Sequence, residues 1–223
     1  MKVLAIDVGG SHVKVLLSGE SKHRKADSGP DMTPEQMVAA VRGLTDDWSW
    51  DRIAIGFPAV VKHDRIMTEP MHLGPGWAGF DFEEAFGCPV RMINDAAMQA
   101  LGSWQGGKML FLGLGTGLGS AMVVDGTVLP MELAHLPYRK HRTYEDYLGE
   151  RGYDRMGEQK WRKHVWRVVD LLRAALQPDE VVIGGGNVKK LDDPPDGVRL
   201  GRNSNAFIGG FRLWQPPSSR STP

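Results

Sequence analysis

The sequence predicts an α/β protein of two lobes, each of which begins with a β-hairpin bent at glycines. Apolar, strand-like runs flank Gly9-Gly10, and the same arrangement returns on both sides of the glycine-rich residues 113–119. Strand-like runs then alternate with helical patterns along the chain, which is the order typical of α/β proteins. The chain has 223 residues, enough for one large domain or for two small ones that share a cleft.

Composition excludes several classes of protein. The 27 basic and 27 acidic side chains give a formal net charge of zero, so no strong overall field draws the chain to nucleic acid or to an anionic membrane. Cys88 is the single cysteine, which excludes a disulfide within the chain and makes a structural zinc unexpected. The opening segment is interrupted by Asp7 too soon for a signal peptide, and no apolar run is long enough to span a bilayer. We therefore expect a cytoplasmic protein.

The first lobe is predicted to comprise residues 1–95. Its segments KVLAIDVG and SHVKVLLS form the hairpin, and a third strand follows near residues 21–26. A helix is predicted over 33–44, because Thr33 is a favoured N-cap, Pro34 suits the first helical position and apolar residues recur at helical spacing. The remaining elements are a strand at 52–61, an irregular loop at 71–80 and a strand at 89–95.

The second lobe is predicted to comprise residues 96–215. After the helix AAMQALGSW, the segments KMLFLGLG and LGSAMVV form its hairpin, and DGTVLP turns into a third strand. The helix-rich residues 143–176 end in an amphipathic helix, whose apolar face is formed by Trp161, Val165, Val168, Val169, Leu172 and Leu176. DEVVIGGGNVKK is predicted as a strand, a glycine triplet and a helix. The final helix, 205–214, is expected to pack back on the first lobe, and 216–223 to form a disordered tail.

The first hairpin carries residue types suited to phosphate. Glycines at its bend, Gly9 and Gly10, allow backbone N–H groups to approach a phosphate without a Cβ clash. Asp7 could hold a hydrated divalent cation, and Ser11 and Lys14 could contact phosphate oxygens. The alternative is a plain Gly-Gly turn in which backbone amides satisfy Asp7.

The second hairpin contains a GxGxxG-like string, GLGTGLG, at residues 113–119. A dinucleotide-binding fold requires a helix directly after such a string, whereas SAMVV is strand-like, so we exclude that fold. Gly115, Thr116 and Gly117 instead form a candidate second phosphate clamp, and the alternative is a structural turn. Gly185 and Gly186, after the strand VVI, either approach a flat ligand or cap a strand end.

Three polar sites complete the candidates. Asn94-Asp95 ends a predicted strand, and a carboxylate there faces the usual ligand crevice of an α/β sheet, where it could act as a general base. Helix capping is the alternative interpretation. Glu132 and His135, three residues apart, suit hydrogen bonds to neighbouring sugar hydroxyls, as does Glu145 further on; the alternative is a solvated turn.

The order of these motifs is more specific than any one of them. The order is a DVGGS hairpin, IGFPAVV, LGPGWAGFDF, Asn-Asp, LGTGLGSA, ELAHL and a terminal strand with GGG. It resembles the ROK family of sugar kinases, and most closely its polyphosphate-glucokinase-like branch. The resemblance covers residues 2 to about 190 and implies two actin-like ATPase (ribonuclease H-like) α/β lobes with a cleft between them.

The resemblance also implies roles for the candidates. Asp95 would be the base that accepts the proton of a sugar 6-hydroxyl as this attacks the terminal phosphoryl group. The sugar hydroxyls would be held by Asn94, Glu132, His135 and Glu145. The donor, either ATP or inorganic polyphosphate, would be held by Gly9, Gly10, Ser11, Lys14, Gly115, Thr116, Gly117, Gly185 and Gly186. Asp7 would orient Mg²⁺ through water, and the expected assembly is a homodimer.

Some departures from the family pattern keep alternatives open. Ala134 replaces the usual glycine of ELGH, and His72 stands where the family often has an asparagine near the sugar. Fructose, mannose and N-acetylmannosamine therefore remain alternatives to glucose. A non-catalytic sugar-binding regulator is the alternative from another class. The cysteine-rich zinc loop of many relatives is absent after His135.

Overall fold

The computed structural model describes residues 1–219, and they divide into two compact units. The first unit contains Met1–Met98 and Ala206–Pro216, and the second contains Gln99–Asn205 and Pro217–Ser219. The predicted class, a mixed α/β protein built from two such units, is confirmed: each unit holds one five-stranded sheet. No helix among residues 1–219 combines the length and apolar character needed to cross a bilayer.

The first sheet has the strand order β3-β2-β1-β4-β7. Strands β1 and β2 form the antiparallel hairpin, and β1, β4 and β7 run parallel. The bounds are β1 Val3–Val8, β2 His12–Leu17, β3 Arg24–Asp27, β4 Arg52–Phe57 and β7 Val90–Asn94. Strands β1 and β4 are almost wholly buried, whereas β2 alternates buried and partly exposed residues, as expected where only one face is covered.

Helices cover the first sheet. Helix α1, Pro34–Leu44, starts at a capping box in which the Gln36 N–H donates to Thr33 Oγ1 and the Thr33 N–H donates to Gln36 Oε1. Its buried residues, Met37 and Val41 among them, join the apolar core of the unit. Helix α7, Asn205–Leu213, packs on β1 and β4 through Gly210, where a Cβ would lie 2.8 Å from the Cβ of Ala5.

Shorter elements complete the first unit. The predicted strand 52–61 ends at Phe57, and beyond it Val61–Lys62 (β5) and Arg65–Ile66 (β6) form a separate small hairpin. Helix α2 is Phe82–Phe86, capped by Asp81. Helix α3, Asp95–Ser103, follows β7 directly and continues into the second unit. The sequence pattern did not predict α2 or the β5–β6 hairpin.

The second sheet has the order β10-β9-β8-β13-β14. Its strands are β8 Lys108–Leu114, β9 Leu118–Val124, β10 Thr127–Met131, β13 Glu180–Gly184 and β14 Val198–Leu200. Strands β8, β9 and β10 are antiparallel neighbours, while β13 runs parallel to both β8 and β14. A strand does follow the GLGTGLG string, which confirms the exclusion of a dinucleotide-binding fold.

Three helices follow in the second unit, after a small hairpin of β11 Pro137–Arg139 and β12 Arg142–Thr143. They are α4 Tyr144–Leu148, α5 Glu150–Met156 and α6 Glu158–Leu176. The predicted apolar face of α6 is buried from Trp161 to Leu172, and only Leu176 at its end is partly exposed. The Trp161 Nε1–H donates to the Leu148 carbonyl at 2.9 Å, which ties α6 to the end of α4.

One helix prediction was wrong. The last glycine of the triplet and the residues after it, Gly186–Lys190, form a short 3-10 turn and not an α-helix. The cause is the sequence that follows, LDDPP, because proline removes a helical N–H and disfavours helical backbone in the residue before it. Pro217–Ser219 form another 3-10 turn, and the rest of the tail that we expected to be disordered lies outside the described residues.

Candidate functional site

The first sheet brings Asp7 and Asn94-Asp95 to the carboxyl-terminal end of its parallel strands. Asp7 lies beside Gly56 in the parallel register of β1 and β4, and Gly56 lies beside Ile93 in that of β4 and β7. Because all three strands run in the same direction, their carboxyl ends meet at this end of the sheet. The backbones of β1 and β7 are two strand spacings apart, about 10 Å. Asp7, near the end of β1, and Asp95, directly after β7, therefore lie at the same carboxyl-terminal end of the sheet, on either side of β4.

Gly56 lies where β4 meets the start of α3. A Cβ at this position would lie 2.4 Å from Met98 Cε and 3.4 Å from the Asp95 Cα. The first turn of α3 thus packs closely on β4 near its carboxyl end. This close packing holds Asp95 beside that end of the sheet.

The bend of the first hairpin is braced from two sides. The Gly9 N–H donates to the His12 carbonyl at 3.0 Å, and the Ser28 hydroxyl donates to the Gly9 carbonyl at 2.5 Å. A Cβ at Gly10 would lie 3.0 Å from the Cβ of His72, so the loop that carries His72 closes against the bend. Close packing against this loop explains why residue 10 is a glycine.

The Lys14 ammonium group lies beside the Asp7 carboxylate. The two residues are directly opposite in the hairpin, and Lys14 Nζ lies 3.2 Å from Asp7 Oδ2. The Asp7 side chain is 19% exposed and that of Lys14 is 33% exposed, so this pair compensates a partly buried carboxylate. The predicted contact of Lys14 with phosphate remains a prediction.

A Mg²⁺ ion fits Asp7 only as a partly hydrated ion. Within residues 1–219 no group of three or more His, Cys, Asp or Glu side chains could enclose a metal. Mg²⁺ commonly takes one or two carboxylates and fills its other positions with water and substrate phosphates. A lone aspartate beside a glycine turn is compatible with that mode, and the predicted role of Asp7 stays a prediction.

Asn94 and Asp95 also start helix α3. The Ala96 and Ala97 N–H groups donate to Asn94 Oδ1 at 3.0 and 3.2 Å, and the Ala96 N–H also donates to Asp95 Oδ1 at 2.7 Å. The capping interpretation therefore holds for Asn94, which accepts the N–H groups of the second and third residues of α3, whereas Asp95 is the first residue of the helix itself. It leaves the base interpretation open, because Asp95 is only partly buried and a carboxylate accepts several hydrogen bonds.

The loop at residues 71–80 is anchored by Trp77 and Glu69. The Trp77 indole is fully buried, and its Nε1–H donates to the Met32 carbonyl at 3.2 Å. The Glu69 carboxylate accepts the N–H groups of Trp77 and Ala78 at 3.2 and 3.1 Å. The irregular LGPGW segment is thus held in a defined conformation next to the first glycine bend.

In the second unit, the turn at residues 115–117 is held by three other segments. The Glu150 N–H at the start of α5 donates to the carbonyls of Gly115 and Thr116 at 3.1 and 3.2 Å. Asn187 Nδ2–H donates to the Gly115 carbonyl at 3.1 Å. The Leu118 N–H donates to Glu145 Oε2 at 3.3 Å. A turn fixed by three partners is a preorganised candidate for phosphate binding.

Glu145 supports this turn. A Cβ at Gly117 would lie 2.5 Å from Glu145 Oε2, so the glycine makes room for the carboxylate. The structure thus places Glu145 against the predicted donor turn, and its predicted contact with a sugar hydroxyl stays a prediction.

Glu145→Ala is expected to loosen the turn. It removes the acceptor of the Leu118 N–H, which should lower the free energy of unfolding by about 1 kcal/mol and raise the KM for the phosphoryl donor several-fold. Glu150→Ala is the matched control, because Glu150 braces the turn through its backbone N–H, which this substitution retains. Urea denaturation and donor titrations measure both effects. Equal behaviour of the two variants would contradict this role of Glu145.

The glycine triplet and this turn lie at the same end of the second sheet, after the neighbouring parallel strands β13 and β8. Gly184 lies beside Gly113 in the parallel register of β13 and β8. Gly185 has φ +85°, and a Cβ there would lie 2.3 Å from the Leu114 carbonyl oxygen, whereas no heavy atom lies within 4 Å of a Cβ at Gly186. Close backbone packing therefore accounts for Gly185. The donor contacts predicted for Gly185 and Gly186 remain predictions.

Glu132 and His135 are accessible to a ligand. A short 3-10 turn, Leu133–His135, follows β10, and it is held by the Leu133 N–H donating to Ser120 Oγ at 3.1 Å. The side chains of Glu132 and His135 are 61% and 74% exposed, and His135 Nε2 lies 3.8 Å from Glu132 Oε2. Such an exposed pair contributes little to stability, so both groups are available to bind a substrate.

The predictions missed a basic pocket of about 450 Å³ in the second unit. It contains none of the predicted site residues, and its wall includes Arg139, Lys140 and Arg142 from the β11–β12 hairpin. The run RKHR at 139–142 was the available signal in the sequence.

Comparisons with known proteins agree with this architecture. The chain is 27% identical over 213 residues to a polyphosphate glucokinase of Mycobacterium tuberculosis, covering 84% of this chain and 78% of the relative. Among solved structures, the inorganic polyphosphate/ATP-glucomannokinase of Arthrobacter sp. strain KM matches with a TM-score of 0.81 at 21% identity, covering 96% of this chain and 99% of that one. The ROK family glucokinase of Streptomyces griseus, solved with glucose and AMPPNP, matches with a TM-score of 0.76 at 15% identity, covering 96% and 99%.

At these identities the structural matches show the fold. The family itself follows from the sequence model described as "ROK family", which matches residues 3–130. That match extends from β1 through the first unit and both strands of the second hairpin. Because it spans more than half of the chain, this protein belongs to the ROK family.

Proposed function

We propose that this protein is a sugar kinase that transfers a phosphoryl group from polyphosphate or ATP to the 6-hydroxyl of glucose, with Asp95 as the general base. The observation that carries the proposal is the carboxyl-terminal end of the first sheet, where parallel strands bring Asp95, Asp7 and the Gly9-Gly10 bend together in a ROK family chain. Phosphoryl transfer depends mainly on positioning and on charge neutralisation, and this end of the sheet offers groups for both.

Asp95 is suited to proton transfer by its position. It sits at the first residue of α3, directly after β7, and the Ala96 N–H fixes one carboxylate oxygen at 2.7 Å. A carboxylate oriented in this way can accept the sugar hydroxyl proton as the oxygen attacks phosphorus. Bound Mg²⁺ would supply neutralisation of the phosphate charge, and Asp7 is the residue that would hold it through water.

The sugar-binding role rests on exposed polar groups. Glu132 and His135 present accessible hydrogen-bonding atoms on a turn held by Ser120. Asn94 keeps an amide group that donates to the Ala59 carbonyl at a long 3.4 Å, so exchange of this bond for a sugar hydroxyl costs little. The names of the mycobacterial relative and of the Arthrobacter enzyme support glucose as the substrate and polyphosphate and ATP as donors.

A matrix of donors and sugars tests the proposal. Purified protein is incubated with ATP or long-chain polyphosphate and with glucose, mannose, fructose or N-acetylmannosamine, and sugar phosphate is measured by a coupled assay and by mass spectrometry. We expect glucose 6-phosphate as the main product. Asp95→Asn protein serves as the blank for contaminating kinases. Absence of turnover with every sugar and both donors would refute the kinase, and sugar binding without turnover would favour the regulator.

A further inference from the structure

The basic pocket of the second unit is formed by a hairpin and three helices. Its wall includes Arg139, Lys140 and Arg142 from the β11–β12 hairpin, Tyr147 from α4, Arg155 from α5 and His164 from α6. All four of the arginine and lysine side chains are exposed. We call this surface the basic groove. In a chain of zero formal net charge, such a concentration of cations is a local feature.

Within the described residues, the cations of the basic groove lack a carboxylate at ion-pair distance; Asp146 is an acidic neighbour, whose pKa is lowered by the hydrogen bond from the Thr143 N–H and further by the Arg142 charge. Among residues 1–219, no ion pair joins Arg139, Lys140, Arg142 or Arg155 to an aspartate or glutamate. Arg155 donates instead to the backbone carbonyl of Asp146 at 2.6 Å. Elsewhere in the same unit, by contrast, arginines pair with acids, as Arg199 does with Glu180 at 2.7 Å. Unpaired cations around one cavity indicate an anionic ligand.

The hairpin turn presents its cations at a conformational cost. Lys140 and His141 both have left-handed backbone, with φ of 51° and 58°. A two-residue turn of this kind favours Asn-Gly, because side chains with a Cβ are strained there. Within the described part of the chain, neither side chain makes a hydrogen bond or an ion pair that would compensate for this backbone strain.

Aromatic rings and an imidazole pack together beside these cations. Tyr138 Oη lies 3.0 Å from His164 Nδ1, and the Tyr147 ring packs edge-on against both Tyr138 and His164, with centroids 4.9 and 4.7 Å apart. Burial lowers the pKa of His164, and the nearby charges of Arg139, Arg167 and Arg155 lower it further. The imidazole thus reports the positive potential of the groove, and a bound anion should raise its pKa again.

We propose that the basic groove binds inorganic polyphosphate and holds a stretch of the donor chain away from the phosphate that is transferred. The inference rests on the proposed function for the identity of the donor. Polyphosphate carries charge along its whole length, and arginine forks bind phosphate oxygens in pairs. Helix α4 links the basic groove to the predicted donor turn at residues 115–117. It contributes Tyr147 to the groove, and its Glu145 accepts a hydrogen bond from the Leu118 N–H next to the turn.

Polyphosphate fits the groove better than a nucleic acid does. Single-stranded nucleic acids combine phosphate contacts with bases stacked on exposed aromatic faces. Here Tyr147 is only 7% exposed, and Tyr138 is half-buried and engaged with His164. The groove therefore offers cations and hardly any stacking surface, which suits a ligand that has phosphates and no bases.

The test compares two triple variants with the same change in net charge. Arg139→Gln/Lys140→Gln/Arg142→Gln removes the hairpin cations, and Lys22→Gln/Lys25→Gln/Lys62→Gln removes three exposed cations of the first unit. For the first variant we expect the KM for long-chain polyphosphate to rise about tenfold or more, while the KM values for ATP and glucose stay unchanged. The control variant should match the wild type in all three values.

Direct binding separates the groove from catalysis. Long-chain polyphosphate is titrated into Asp95→Asn protein with and without the hairpin substitutions, at several salt concentrations. We expect the substitutions to weaken binding and to reduce the salt dependence of log K by about two. Polyphosphate should also raise the pKa of His164, followed by NMR, in protein with the intact hairpin. Unchanged thermal denaturation shows that the variants are folded.

The outcomes distinguish this inference from the proposed function. Unchanged polyphosphate affinity in the hairpin variant, an equal rise in the KM for ATP, or equally tight groove-dependent binding of a single-stranded RNA would overturn the inference. If wild-type protein phosphorylates glucose from ATP and does not bind polyphosphate, the groove proposal fails and the kinase stands. If no donor supports turnover but binding depends on the hairpin, the kinase fails and the groove stands.

Discussion

Asparagine in place of Asp95 is expected to lower kcat by about 10²- to 10⁴-fold, the usual contribution of a general base. Glucose affinity should stay near that of the wild type, because the substitution removes a proton acceptor and hardly changes the shape of the side chain. Asparagine also retains an oxygen that can accept the Ala96 N–H, now 2.7 Å from Asp95 Oδ1, so the start of α3 is preserved. Steady-state kinetics and calorimetric glucose titrations measure the two quantities.

Asp81→Asn is the matched control for this variant. Asp81 also begins a helix of the first unit, where its Oδ1 accepts the Glu84 N–H at 3.0 Å, and it is not among the candidate site residues. We expect full activity from it. If Asp95→Asn keeps most of its kcat, Asp95 is not the base. If it loses glucose affinity and thermal stability as much as turnover, the role of Asp95 is structural.

Gly185→Ala is expected to lower the free energy of unfolding by about 3 kcal/mol or more, at the upper end of ordinary substitutions. Two effects add. The φ of +85° is strained for alanine, and the new Cβ would lie 2.3 Å from the Leu114 carbonyl oxygen, which belongs to the backbone of a buried strand. Because Leu114 directly precedes the turn at 115–117, the KM for the donor should rise as well. Urea denaturation and donor titrations measure both.

Gly186→Ala is the neighbouring control. A Cβ at this glycine has no heavy atom within 4 Å, and its φ is not left-handed, so its unfolding free energy should change by no more than about 0.5 kcal/mol. Wild-type stability of Gly185→Ala would show that the close approach to Leu114 is wrong. A loss of donor affinity in Gly186→Ala without a loss of stability would instead support the predicted contact of Gly186 with the donor.

Local patterns predicted most of the regular structure. Both glycine-bent hairpins, helix α1 and the apolar face of α6 follow from alternation, capping and helical spacing, which act between residues close in the chain. The predictions failed where the local pattern was weak. Gly186–Lys190 is too short and too near a proline pair for an α-helix, and the five-residue α2 has almost no periodicity to detect.

The candidate site was predictable in its members and not in their contacts. Residue types and motif order single out Asp7, Asp95 and the glycine turns. They do not reveal that Lys14 pairs with Asp7 or that Glu145 braces Gly117, because each contact depends on which residues the fold brings together. The basic groove was missed for the same reason. The run RKHR is an ordinary polar hairpin until α5 and α6 add Arg155 and His164 around one pocket.

The sequence by itself determined the α/β class, the ROK family likeness and the set of candidate residues, since these depend on periodicity and on the order of short motifs. Only the tertiary structure decided which glycines are needed for packing, which cation accompanies the Asp7 carboxylate and where unpaired positive charge accumulates. The physical reason is that hydrogen bonds, ion pairs and steric contacts act over a few ångströms in space. Strand register and helix packing set those distances, and spacing along the chain does not encode them.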